Sequence, residues 1–261
     1  MGYRRLSIGG QRGRVSSRFF FRERVKLVSL LGKTPSPVYG SNGTQVDSII
    51  EILGHSPRLP EVFDQLTRKL EAEKERRRKF YEEMTPEQKI EFIDGEVVLH
   101  SPARNIHLDV TKRVLRLVDS FVALNKLGEV KFEKCLVVFP RNDYEPDLVF
   151  FGAKKTEAFE NEKMRFPVPD FVVEVLSKST EANDRGVKFE EYAANGVAEY
   201  WIINTDQGVL EQYLLEGESY QLALKASSGL LRSTVIEGFE CDLEALFDEK
   251  KNLAAVKSLF E

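Results

Sequence analysis

The apolar and polar positions divide the chain into a segment without period and a body with a clear one. Residues 1 to 57 contain GGQRGR, TPSP and GSNGT, turn-rich runs that sustain no helix or strand spacing and predict a flexible tail. From Leu59 to Met84 the residues Val62, Leu66 and Leu70 recur every four positions, then run into the charged stretch Glu71 to Lys79. That predicts a helix with a largely solvated face. Thr85, Pro86 and Gln88 form a capping signal that predicts a short helical turn. Asp94 and Gly95 then sit between Ile90–Ile93 and Glu96–Leu99, a two-residue hairpin signal. Residues 105 to 127 carry Ile106, Val110, Val114, Leu117, Val118 and Phe121 on one helical stripe, with Gly128 as the expected stop.

Strands are predicted near 129 to 139, 147 to 151 and 171 to 176, followed by a helix near 183 to 195 and a strand at 199 to 204. Three more, near 209 to 215, 218 to 224 and 230 to 236, are spaced as hairpins. Strand, helix, strand over 171 to 204 usually means a parallel crossover, so the sheet should be mixed. The expected fold is mixed α/β, with a central mixed β-sheet flanked by helices. The expected organisation is a tail over 1–57, a charged helix over 58–84, one domain over 85–247 and a helical extension over 248–261.

At 261 residues, 42% hydrophobic and 31% charged, the chain can bury a real core. No apolar run approaches the length of a membrane span, so no membrane association is expected. The net charge of −4 hides an asymmetry: residues 1 to 46 hold nine Lys or Arg against Glu23 alone, so this segment is +8 and the remainder −12. An acidic body argues against phosphate tracking over its whole surface and is compatible with a local carboxylate site for a divalent cation. The basic, acid-poor start fits a dispensable tail, an organellar transit peptide or a nucleic-acid arm. A secretory signal fits poorly, because Arg22, Glu23 and Arg24 follow Phe19, Phe20 and Phe21 at once. Cys135 and Cys241 stand far apart without a CxxC partner, so a reducing, cytoplasmic setting is expected.

Two acids interrupt apolar strands. Asp147 opens Leu148-Val149-Phe150-Phe151, and Glu174 splits Val172-Val173 from Val175-Leu176. A buried carboxylate is costly unless it is paired or binds a metal. Strand alternation places Val172, Glu174 and Leu176 on one face, and helix spacing places Arg185, Lys188 and Tyr192 on one side of the next helix. Two carboxylates and one amine suit metal-assisted phosphodiester hydrolysis: the acids hold a hard cation, and the ammonium offsets charge on the phosphate. Glu96 is a further candidate acid, against its reading as an ordinary strand polar residue. His107 is a candidate to face the site, whereas His55 and His100 add no ligand spacing. Tyr192 and Trp201 read as core, and Ser177, Ser179 and Thr180 as capping residues.

Phe92-Ile93-Asp94-Gly95-Glu96, Tyr144-Glu145-Pro146-Asp147, the run Pro169 to Thr180, Asp184-Arg185, Lys188, Tyr192 and Glu199 to Ile203 together resemble the Uma2 family. These are restriction-endonuclease-like proteins within the PD-(D/E)xK nuclease superfamily, and the resemblance spans residues from about 60 to 247. It implies a restriction-endonuclease-like fold, with Asp147 as the aspartate of the PD motif and Glu174 as the acid of the third motif. The superfamily's usual lysine position, two residues after that acid, is Leu176 here. The resemblance moves the lysine role to Lys188 on the following helix, with Lys178 as the runner-up. It further implies a DNA endonuclease using Mg²⁺ or Mn²⁺ held by Asp147, Glu174 and the Val175 carbonyl, and a homodimer. The alternative is a catalytically inactive module of the same fold that binds DNA.

Overall fold

In the computed structural model, residues 45–85 and 87–261 are described. The chain divides after Val62. Its first unit contributes helix α1 (Gln45–Gly54) and the opening turn of α2 (Leu59–Glu83). Helix α1 falls inside the span expected to be a tail: Ile49 and Leu53 stand one turn apart and Gly54 closes the helix, a signal too short to register among the surrounding turn residues. The rest of that tail, with its transit-peptide and nucleic-acid-arm readings, lies outside the described residues.

The second unit holds a six-stranded sheet. Its strands are β3 (Gly128–Phe132), β6 (Leu148–Gly152), β8 (Phe171–Val175), β9 (Glu199–Asn204), β10 (Val209–Glu216) and β11 (Ser219–Ala226), in the order β11-β10-β9-β8-β6-β3. The short helix α4 (Ala153–Thr156) follows β6. Within this sheet only β8 and β9 run parallel, joined through α5 (Glu181–Asp184) and α6 (Val187–Ala194), so the crossover predicted over 171 to 204 is present. The single helix expected there is two. Gly186 separates them at a site where a Cβ would lie 2.7 Å from the Ala182 carbonyl oxygen.

Helix α3 (Asn105–Asn125) buries Val110, Val114, Leu117 and Val118 against Phe150, Val173 and Trp201 on one face of this sheet. The opposite face carries Val172, Leu176, Tyr192 and Tyr200, so the period-two alternation of β8 is realised. Ile106, expected on the buried stripe, is 44% exposed. The helix ends at Asn125, two residues earlier than expected, because Lys126 takes the left-handed conformation at φ 55°. Gly128 instead opens β3 at φ 147°, where a Cβ would stand 2.0 Å from the Phe151 carbonyl oxygen.

A second sheet joins β1 (Ile90–Ile93), β2 (Glu96–Leu99), β4 (Leu136–Val138), β5 (Asp143–Tyr144) and β7 (Arg165–Phe166) in the order β2-β1-β5-β4-β7. The strand expected over 129 to 139 is therefore broken. Glu133 and Lys134 turn the chain at φ 35° and 48° and send β3 and β4 into different sheets. The Asp94-Gly95 hairpin forms as predicted, both residues at positive φ. No helix follows Thr85: the Gln88 N–H only closes a turn onto the Thr85 carbonyl at 3.4 Å, and Pro86 is outside the described residues.

The charged face of α2 is not merely solvated. Arg77 donates to the carbonyls of Phe139, Pro140 and Asn142 and to Asp143, Arg76 donates to the Gly95 carbonyl at 2.6 Å, and Arg141 pairs with buried Glu73. Of the last predicted strand, only Leu230–Arg232 pairs, as β12 with β13 (Glu240–Asp242). Helix α7 (Glu249–Ser258) lies within the span 248–261 and packs on α3, with Asn252 Nδ2 donating to the Arg113 carbonyl at 3.0 Å. Cys135 and Cys241 are free, and burial pushes each thiol up to about 12. Among the described residues no helix is long and apolar enough to cross a membrane.

Candidate active site

Strands β6 and β8 run antiparallel with Leu148 opposite Val173, a register that brings Asp147, just before β6, beside Glu174. The Val175 N–H seals this junction by donating to Asp147 Oδ2 at 2.8 Å. Both acids line a cleft of about 620 Å³, together with Lys89, His100, His107 and Glu145. The two strand-borne acids singled out by their apolar flanks thus meet at one opening.

Helix α6 supplies Lys188 and Tyr192, one turn apart. Lys188 Nζ lies 2.9 Å from Glu174 Oε1, 2.9 Å from Glu91 Oε1 and 3.3 Å from Asp184 Oδ1, and its side chain is 2% exposed. The Tyr192 hydroxyl donates to Glu174 Oε1 at 3.1 Å, so this core residue also orients the acid. Arg185, expected on the same helix side, turns away to Glu211.

On the other side of the cleft, Lys89 Nζ is 3.1 Å and His107 Nε2 3.3 Å from Asp147 Oδ1. His107 therefore faces the site. His100, which the spacing argument set aside, approaches Glu91 Oε2 to 2.9 Å.

Glu96 is not brought to the cleft. It is exposed on β2, opposite Ile93, and the acid that the hairpin contributes is Glu91 on β1. Glu91 was legible by the criterion that found Glu174, since it interrupts Ile90, Phe92 and Ile93 in a strand buried along its whole length. Lys89 and Asp184 lack such a signal, because a Lys before a strand and an Asp in a short helix are ordinary at a surface. Lys178 is exposed in the loop after β8 and lines the cleft. In that loop Ser177 Oγ accepts from the Thr180 N–H at 3.3 Å, so capping is carried by Ser177, whereas the Thr180 side chain forms no cap bond.

The electrostatics follow from five buried carboxylates, Glu91, Glu145, Asp147, Glu174 and Asp184, near the ammonium groups of Lys89 and Lys188. Burial opposes the charge on Asp147, but His107, Lys89 and the Val175 N–H outweigh it and hold the carboxyl below its ordinary value. Glu91 is likewise held at about 2 against burial by Lys188 and His100. Glu174 moves the other way: burial, with repulsion from Asp184, Asp147 and Glu91, lifts it well above the ordinary value despite Lys188. Asp184 is raised mainly by burial, and burial alone is the largest cause lifting Glu145 to about 7. Carboxyls pushed apart in this way within one cleft are a common mark of reactive sites.

The model of the Uma2 family, described as "Putative restriction endonuclease", matches residues 77–244. A solved structure with a similar fold is a "putative nuclease belonging to DUF820" from Anabaena variabilis, 17% identical, covering 64% of this chain and 94% of that one, with a TM-score of 0.56. A search of curated proteins returns no match. The matched span contains every strand from β1 to β13 and every acid and amine lining the cleft, and the chain belongs to the Uma2 family.

Proposed function

We propose that the protein is a divalent-metal-dependent DNA endonuclease that hydrolyses phosphodiester bonds at the cleft. The observation that carries this reading is the pairing of Asp147 and Glu174 at one opening, with buried Glu91 and Asp184 gathered beside Glu174 around the ammonium of Lys188. That donor chemistry fits a hard cation such as Mg²⁺ or Mn²⁺. Among the described residues no three His, Cys, Asp or Glu side chains are grouped to hold a metal. Asp147 and Glu174 would therefore hold it as a pair, with the Val175 carbonyl as a third protein ligand and water completing the shell.

Such a cation polarises a phosphate and lowers the pKa of bound water. The chain's own residues do the rest. Tyr192 and Lys188 fix Glu174 through Oε1, and the Val175 N–H fixes Asp147 through Oδ2. In hydrolysis the water oxygen bonds to phosphorus while the bond to one ester oxygen breaks. That oxygen leaves with a proton, and the second proton of water passes to solvent.

Supercoiled plasmid incubated with purified protein and Mg²⁺, Mn²⁺ or EDTA tests the reading. Nicking is expected with metal and not with EDTA, and Glu174→Ala is expected to reduce it about 100-fold or more. Metal-dependent cleavage untouched by Glu174→Ala would sink the proposal. A second reading, a DNA-binding module without turnover, is favoured by one fact: Lys89 and His107 already balance Asp147, and Lys188 balances Glu174. It predicts DNA binding that survives Glu174→Ala and no rise in melting temperature with added metal.

A further inference from the structure

We propose that Lys89, and not Lys188, is the ammonium that meets the substrate phosphate. This inference rests on the nuclease reading and assigns it a residue outside the motifs that the sequence alone singled out. Lys188 has three N–H donors and three carboxylates around them, at 2.9, 2.9 and 3.3 Å. It is 2% exposed and lies over the Tyr144 ring at 5.6 Å. Turning it toward an incoming phosphate would strip its counter-ion from Glu91, Glu174 and Asp184, all of them buried. Its geometry is that of an internal counter-ion that positions Glu174.

Lys89 is built the opposite way. Its side chain is 27% exposed and lines the cleft, and among the described residues Asp147 Oδ1 at 3.1 Å is its one carboxylate contact. Donors remain for a phosphate oxygen. Its backbone is fixed: the Lys89 carbonyl accepts from the His100 N–H at 3.1 Å, one step beyond the Ile90–Leu99 pair of the hairpin. The root of the side chain is thus anchored in a sheet while the four-carbon stem reaches across to the acids. When water attacks phosphorus, negative charge grows on the non-bridging oxygens, and an ammonium held at the reacting centre lowers that barrier. The role assigned to Lys89 is thus one of charge. Lys178 also lines the cleft and forms no ion pair among the described residues, but it sits in the exposed Ser177–Thr180 loop and not on a strand-anchored stem.

Lys89→Ala, Lys89→Arg, Lys178→Ala and Lys188→Ala test this with three measurements on the full chain. These are plasmid cleavage in Mg²⁺ or Mn²⁺, anisotropy of a short labelled DNA duplex in EDTA across a salt series, and thermal unfolding. Lys89→Ala is expected to lower cleavage by roughly 100-fold and to reduce the slope of log affinity against log salt by about one unit, with the melting temperature held. Lys89→Arg, which keeps the charge, is expected to restore the slope and part of the rate, whereas Lys188→Ala lowers the melting temperature. Wild-type cleavage and slope in Lys89→Ala overturn the proposal, as does a loss confined to Lys178→Ala. Absence of cleavage by every preparation counts against the nuclease reading, and the salt slope then decides Lys89 by itself: a drop supports it, no change overturns it.

Discussion

Glu91, Glu174 and Asp184 share one ammonium, that of Lys188, and all four groups are buried. Removing the lysine alone leaves three carboxyls facing one another in a poorly solvated pocket. Lys188→Met is therefore expected to cost about 3–5 kcal/mol, read as a lower urea midpoint with an unchanged slope. Combining it with Glu91→Gln should restore part of that loss, because one of the repelling groups is gone. A double variant no more stable than the single one would show that the lysine stabilises through its packing and not its charge. At this scale the sequence was partly legible. Asp147, Glu174 and Lys188 betrayed themselves by apolar flanks or helix spacing, whereas Glu96 attracted notice beside the hairpin turn while Glu91, inside the strand, went unmarked. A short strand gives little alternation to tell an inward from an outward acid, and both faces of β1 proved buried.

Long elements follow the sequence pattern closely and short ones do not. Helix α3, strands β8 to β11 and the Asp94-Gly95 hairpin appear where their periods place them. Beyond that hairpin the second sheet was illegible, because β5 and β7 have two residues each, too few to show an alternation, and are defined by their partners alone. Tertiary links also decide how β9 and β10 are fastened. Glu199 is fully buried and accepts from Trp201 Nε1, Gln212 Nε2, Ser233 Oγ and the Thr234 N–H, tying the turn after β12 to the central sheet. Along β10, burial works against charge on Glu211, but hydrogen bonds from Arg185, Lys225 and Tyr213 prevail and hold it at about 2. A carboxyl depressed in the folded state stabilises above its unfolded value near 4.5 and loses that contribution as pH falls toward 2. Glu211→Gln is accordingly expected to lower stability by about 1–2 kcal/mol at pH 7, after allowance for the solvent around Lys225, with the gap to wild type shrinking between pH 4.5 and 3. A gap that stays constant over this range would assign the loss to packing. Gly128 offers a backbone counterpart: with the Phe151 carbonyl 2.0 Å from any Cβ and φ at 147°, Gly128→Ala is expected to cost about 2–4 kcal/mol, measurable as a drop in melting temperature.

Over the whole molecule, charge is divided between a +8 segment at residues 1 to 46 and a −12 remainder. An acidic body repels the DNA backbone except where cations are locally exposed, so removal of residues 1–44 is expected to weaken duplex binding in EDTA and flatten its salt dependence by several units, while leaving metal-dependent cleavage at low salt measurable. Equal slopes with and without that segment would place the binding contacts entirely in the body. The arginine contacts of α2 bear on a different question, that of where the folding unit begins and ends. The family match starts at residue 77, in the middle of that helix, and stops at 244, before α7. A fragment cut to those limits would discard Glu73 and Arg76, which grip Arg141 and the hairpin, and Asn252, which closes on α3. The span that evolution marks as shared is thus shorter than the span the chain needs to hold itself together, and autonomous folding is expected of residues 63–261 but not of 77–244.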